Sequence, residues 1–326
     1  MKKLKGKRSQ LERSAEMNKI TVVGSINLDT TIRTEQFPKP GETIHSKEVF
    51  TNGGGKGANQ AIAAARNGGQ VNFIGAVGND DGGKTLVELL EQDGINTSAI
   101  DHLTNIKTGS AYVTVDDNGE NSIVIYGGAN QQISSEHILD SSELISSSDY
   151  VIAQLETNLS SIEQSFEIAK KSAALTILNP APALKEMPDS IIRMTDILIP
   201  NEIELETIIG DKIDTKEDLI NAATIIHSLD VKVLIVTLGS KGAFYSVLDG
   251  KQGFVPANKV NVVDTTAAGD TFIGALSTKL SVDFRNIEEA IQYANKAASL
   301  TVQRYGAQPS IPYESELVEK EQKIKV

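Results

Sequence analysis

From Ile20 onward, short β-branched apolar runs alternate with longer amphipathic segments. Ile20 to Gly24, Val71 to Val77, Tyr150 to Leu155, Leu175 to Leu178, Asp196 to Ile199 and Val233 to Thr237 read as strands. Helical patterns follow most of them, including Gln60 to Arg66, Thr85 to Gln92, Ser160 to Ser172 and Lys216 to Leu229. The alternation predicts an α/β fold, a doubly wound and mostly parallel sheet with helices on both faces. Ligands of such a sheet collect at the carboxyl ends of its strands.

Two stretches interrupt the rhythm. Residues 29–51 contain Phe37-Pro38-Lys39-Pro40-Gly41, and residues 110–126 read as two alternating strands around Asp116-Asp117-Asn118-Gly119. Together they predict a small β lid. Closure over substrate, pairing with a second subunit and a plain edge hairpin all satisfy the pattern.

The chain of 326 residues is large enough for one sizeable core. It has no cysteine, which excludes disulfides, thiolate nucleophiles and Cys-ligated metals and suits a cytoplasmic setting. Its four histidines lie far apart and read as surface or packing residues. A net charge of −12 disfavours generic attraction to nucleic acid or an anionic membrane, and no apolar stretch is long enough to span a bilayer. Residues 1–16 are basic without a signal-peptide core and read as a leader or disordered tail. The folded body is expected over 17–313, with a tail at 314–326.

Chemistry concentrates in few places. Asn52 to Asn59 holds Gly53, Gly54, Gly55, Lys56 and Gly57 ahead of an Ala-rich helix, where backbone amides could approach a ligand or merely form a turn. Asp264-Thr265-Thr266-Ala267-Ala268-Gly269-Asp270 precedes the periodic segment Ile273 to Leu280. Amides at that helix start would stabilise a transferring phosphoryl group, with Asp270 taking a proton from an alcohol or simply capping the helix. Asn201 and Glu204 share a helix face and could hold hydrated Mg²⁺, or belong to an ordinary acidic first turn. Gly78 to Thr85 satisfies the P-loop spacing, but Asp80 and Asp81 put negative charge where phosphate would sit. Lys84 would serve a nucleotide-binding alternative.

Five motifs in order, Gly24 to Asp29, Gly54 to Asn59, Gln154-Leu155-Glu156, Pro200 to Glu204 and Asp264 to Asp270, resemble the PfkB carbohydrate kinase family from Asn18 to Tyr313. Leu178 to Ala183 and Gly306 to Ser310 look specifically like its ribokinase-like branch. The resemblance implies a Rossmann-like fold and ATP-dependent phosphorylation of ribose at its 5-hydroxyl. Deoxyribose, fructose or a nucleoside are alternative acceptors, and a catalytically idle sugar-binding protein is a further alternative.

The resemblance also implies site roles. Asn27, Asp29, Gly55, Lys56, Gly57, Asn59 and Glu156 would bind the sugar, with Asp270 as base and Ala267, Ala268 and Gly269 in the anion hole. ATP would meet Asn201, Glu204, Thr237, Gly239, Ser240, Gly242, Gly269 and Asn295, with Mg²⁺. A monovalent cation, K⁺, would lie near Asp264, Thr266, Thr301, Arg304, Gly306 and Ser310. A homodimer through the β lid is expected. The family motif often has Gly where this chain has Ala267, a change the backbone tolerates if φ there is not positive.

Overall fold

The computed structural model describes residues 17–318, so the leader expected at 1–16 and residues 319–326 lie outside the described residues. The first apolar run forms strand β1, Lys19–Val23, buried from Ile20 onward. The chain then leaves the main sheet for β2 (Asn27–Arg33) and β3 (Glu48–Gly54) before entering helix α1 (Lys56–Arg66). It returns through β4 (Gln70–Gly78), α2 (Asp81–Gln92) and β5 (Asn96–Leu103), and departs again for β6 (Gly109–Val115) and β7 (Asn121–Tyr126). Helices α3 (Ser135–Asp140) and α4 (Ser142–Ser146) lead to β8 (Tyr150–Gln154), α5 (Leu159–Lys171), β9 (Leu175–Asn179), α6 (Asp189–Arg193) and β10 (Ile197–Leu198). The remainder holds α7 (Glu202–Ile209), α8 (Lys216–His227), β11 (Val233–Thr237), β12 (Ala243–Val247), β13 (Gln252–Val255), α9 (Ala268–Lys279) and α10 (Ile287–Thr301).

The large sheet runs β13-β12-β11-β10-β9-β8-β1-β4-β5. It is parallel from β11 to β5, with β12 and β13 added antiparallel at one edge. Because successive side chains of a strand point to opposite faces, Val22 joins the core cluster that includes α1, α9 and α10, while Val23 joins the one that includes α5, α7 and α8. Central strands buried on both faces carry few polar residues, which is why these runs were legible. Strand β1 pairs with β4 on one side and β8 on the other, so connections leaving these strands diverge and open a crevice at their carboxyl ends.

The second sheet, β3-β2-β6-β7, is the small lid. It starts earlier than the expected 29–51 and 110–126, because Asn27 already pairs with both Gly54 and Gly109. The β6–β7 hairpin turns where expected: Asp116 accepts the N–H groups of Asn118 and Glu120, and Gly119 takes φ +83°. Lys47 pairs with Asp117 at 2.5 Å and ties the long connection after β2 to the hairpin tip.

Two boundaries differ from expectation. Helix α9 begins at Ala268, so Asp270 lies inside its first turn rather than before it. Residues 314–318 are still packed structure, since Leu317 is buried against Ala275, Ala297 and Leu300. No helix among the described residues is long and apolar enough to cross a membrane.

Candidate active site

The glycines flanking Lys56 at the start of α1 let two backbones cross. A side-chain carbon on Gly57 would stand 2.5 Å from Ser25 N, and Gly55, at φ +87°, admits none without meeting Asn27 N at 2.9 Å. The helix's first amides are already engaged. Lys56 N–H donates to Glu156 Oε2 at 3.0 Å, Gly57 N–H to Ser25 Oγ at 3.3 Å and Ala58 N–H to Ser25 O at 2.9 Å. The Ser25 hydroxyl donates to the same Glu156 oxygen at 2.6 Å. The open amide cradle allowed for at Gly54 to Asn59 is therefore closed by protein, and a carboxylate occupies the favourable helix end.

What faces the crevice is a set of side chains. Asn27 Oδ1 accepts from Asn130 Nδ2 at 2.8 Å, and Asn130 is fixed in turn by the backbone of Ile26. Asp29 Oδ1 and Asn59 Oδ1 are buried without a partner among the described residues, two acceptors matched to hydroxyl donors. Burial, then the carboxylates of Glu156 and Asp270, push the Asp29 carboxyl up to about 7. For Lys56, burial opposes the charge, but Asp270, Glu156 and Glu204 together hold its ammonium above the usual lysine value.

Asp270 is buried in the first turn of α9 and does not cap it. The cap position is Ala267, at φ +59°, with no side-chain hydrogen bond; the condition under which the extra methyl would be free of strain is not met. Asp270 Oδ2 accepts from Asn59 Nδ2 and Oδ1 from Gln60 Nε2, both at 3.0 Å. Ala268 N–H donates to Thr265 O, whereas the amides of Gly269 and Asp270 have no hydrogen-bond partner among the described residues. A carboxylate thus lies beside two free N–H groups at the positive end of a helix, an arrangement able to accept a proton and stabilise a developing anion.

At the far end of the crevice, Asn201 and Glu204 form a reciprocal capping box on α7: Glu204 N–H donates to Asn201 Oδ1, and Asn201 N–H to Glu204 Oε2. Burial raises the Glu204 carboxyl above its ordinary value. Asn201 bridges Thr237, which leads to the turn of Gly239 (φ +56°), exposed Ser240 and Gly242 (φ +104°). Asn295 Nδ2 bonds the carbonyls of Val255 and Pro256, closing that side.

Beside α9, Asp264 accepts the N–H and hydroxyl of Thr266 and the N–H of Gly306. Those bonds outweigh its burial and keep it well ionised. The hydroxyls of Thr301 and Ser310 already donate to Thr271 and Ala307, and the Arg304 guanidinium pairs with Glu316.

The P-loop reading fails on geometry. Asp80 caps α2 through Gly83 N–H and also binds Thr108, filling the space a phosphate would need, while Lys84 is exposed and pairs with Glu88. Sequence reasoning missed Asn130, Gln60 and Ser25, and gave no role to Gln154 or Asn179. A glutamine at 60, among alanines and an isoleucine in a buried helix, was the available signal: such a group must be paired.

This geometry coincides with a family match: residues 17–314 match the pfkB family carbohydrate kinases, and the chain belongs to that family. It is similar to the bifunctional ribokinase/ribose-5-phosphate isomerase A of Fructilactobacillus sanfranciscensis, with 43% identity over 91% of this chain, and spans only 55% of that protein. The ribokinase of Staphylococcus aureus is 42% identical, over 90% of this chain and 97% of that protein. The solved structure of Arabidopsis thaliana ribokinase complexed with ribose and ATP superposes with a TM-score of 0.86 at 35% identity, covering 93% of this chain and 98% of that one.

Proposed function

We propose that the chain transfers the γ-phosphoryl group of ATP to the 5-hydroxyl of D-ribose, giving ribose 5-phosphate and ADP. The observation that carries this reading is the buried Asp270 carboxylate beside the unpaired Gly269 and Asp270 amides, within a fold similar to that of a ribose- and ATP-bound ribokinase. Asp29, Asn59, Asn27 and Lys56 would hold the sugar hydroxyls, using the two unpartnered acceptors. Asp270 takes the hydroxyl proton as the oxygen–phosphorus bond forms and the bond to the ADP oxygen breaks. The α9 amides, with Ala267 and Ala268 shaping the turn, stabilise the charge on the transferring group.

Thr237, Gly239, Ser240, Gly242 and Asn295 line the expected nucleotide end. The capping box of Asn201 and Glu204 leaves lone pairs for water, and no cluster of three acidic or histidine ligands occurs among the described residues. That donor set fits Mg²⁺ held through water and nucleotide phosphates rather than a protein cage. When bound, Mg²⁺ neutralises phosphate charge. Around Asp264 the side chains of Thr266, Thr301, Arg304 and Ser310 are committed elsewhere, so backbone oxygens there and at Gly306 suit a weakly hydrated monovalent cation such as K⁺. All six residues of β7 are exposed, among them Ile123, Val124, Ile125 and Tyr126, which supports a homodimer through the lid. A cytoplasmic setting fits the cysteine-free sequence.

The test is ADP release with ribose, deoxyribose, fructose or adenosine, in K⁺ and in Na⁺. Ribose-selective turnover stimulated by K⁺ is expected; turnover indifferent to the sugar overturns the reading.

A further inference from the structure

Two motifs noted in the sequence, Gln154-Leu155-Glu156 and Leu178 to Ala183, contain amides that neither sugar nor nucleotide binding uses. In the fold they converge on Asp270. Asn179 Nδ2 donates to the backbone carbonyl of Ile199 at 3.1 Å. A carbonyl can only accept, so the Asn179 NH₂ must face it and Oδ1 must face the other way. That oxygen meets Gln60 Nε2 at 3.2 Å, and the same nitrogen donates to Asp270 Oδ1 at 3.0 Å. Gln60 Oε1 accepts from Gln154 Nε2 at 2.7 Å.

Gln60 and Gln154 have no solvent exposure, so water cannot replace a lost partner. A flipped Gln60 amide would set its oxygen against both Asn179 Oδ1 and the Asp270 carboxylate. The orientation of the Asp270 carboxylate is therefore traced to the main-chain carbonyl of Ile199 through the side chains of Gln60 and Asn179. Asn59 grips the other carboxylate oxygen from α1, and both grips present N–H groups. Among the described residues, the charged groups that act on Asp270 are Asp29 on β2, Lys56 on α1 and Glu204 on α7, while Glu156 after β8 acts on Asp29 and Lys56.

We infer that Asn179 and Gln60, supported by Gln154, form a positioning relay that fixes the rotamer of Asp270 and offers it donors only, holding it aimed as the base. The inference rests on the reading of Asp270 as the base. Gln60→Glu is the sharpest test. The introduced carboxyl can donate to Asp270 only while protonated, so the ratio of variant to wild-type kcat should fall roughly tenfold or more from about pH 6 to about pH 8. Asn179→Leu should lower kcat about tenfold or more while ribose Kd, measured calorimetrically without nucleotide, changes less than about threefold. Thermal melting checks that each variant is folded.

A pH-independent ratio together with kcat near wild type in both variants overturns the relay. So does loss of ribose affinity matching the loss of kcat, which marks a merely structural role. Asp270→Asn in the same assays separates the two readings. An active Asp270→Asn variant removes the base itself, whereas an inactive one alongside unperturbed Gln60 and Asn179 variants removes only the relay.

Discussion

Glu156 accepts the backbone N–H of Lys56 at 3.0 Å, so the N-terminus of α1 is closed by a carboxylate from the neighbouring loop. The starts of α1, α7 and α9 face one crevice; those of α1 and α7 are capped by carboxylates, and that of α9 is open. Glu156→Ala removes the acceptor of both Lys56 N–H and Ser25 O–H, and should destabilise the fold by about 1–3 kcal/mol. A lowered midpoint in thermal or urea unfolding checks it.

Gly54→Ala should disable the proposed sugar end selectively. A methyl carbon there would stand 1.9 Å from Asp29 Oδ2, backed by β3, so the carboxylate must move. Ribose affinity should fall by about tenfold or more, near 1.4 kcal/mol. Calorimetry with ribose and separately with an ATP analogue should show the loss for ribose alone.

Asp29 makes stability depend on pH. Its carboxyl titrates near 7 in the fold against an ordinary value of 3.8, so the folded state holds its proton more tightly than the unfolded chain. That contribution is complete below the ordinary carboxylate range and disappears as pH rises through about 7. Asp29→Asn should therefore gain stability relative to wild type as pH rises from about 5 to about 8, by on the order of 2 kcal/mol after solvent screening. Calorimetric melting at the two pH values measures the gap, and a gap that stays constant contradicts the assignment.

Ala267 should be relieved by glycine. Its φ of +59° is a left-handed conformation in which a β-carbon costs about 1 kcal/mol. Ala267→Gly should raise the melting temperature by a few degrees, with kcat retained if the α9 amides keep their places.

The central strands were legible because burial on both faces leaves a continuous apolar run. Strand β5 was not, since its exposed and buried positions mix at the sheet edge. The start of α9 was hidden because Ala268, Gly269 and Asp270 carry no apolar period, which begins only at Ile273. Asn27, Asp29 and Asn59 of the crevice could be named from ordered motifs, but their environment could not. Gln60 bonds partners 94, 119 and 210 residues away, and no local window contains such a pairing. The doubtful P-loop was settled by Asp80, whose caution in sequence became a filled loop in space.

Strand β2 has a consequence for how a sugar would be held. Asn27 stands where β2 leaves the main body and is bolted there by Asn130. Asp29, two positions along, rides on the small sheet opposite Asn52. A sugar touching both would cross the seam between two sheets, so the substrate itself would be a brace between lid and body. Binding and lid rigidity then become a single measurable quantity, and amide exchange in β2, β3 and β6 should slow when ribose is added without nucleotide.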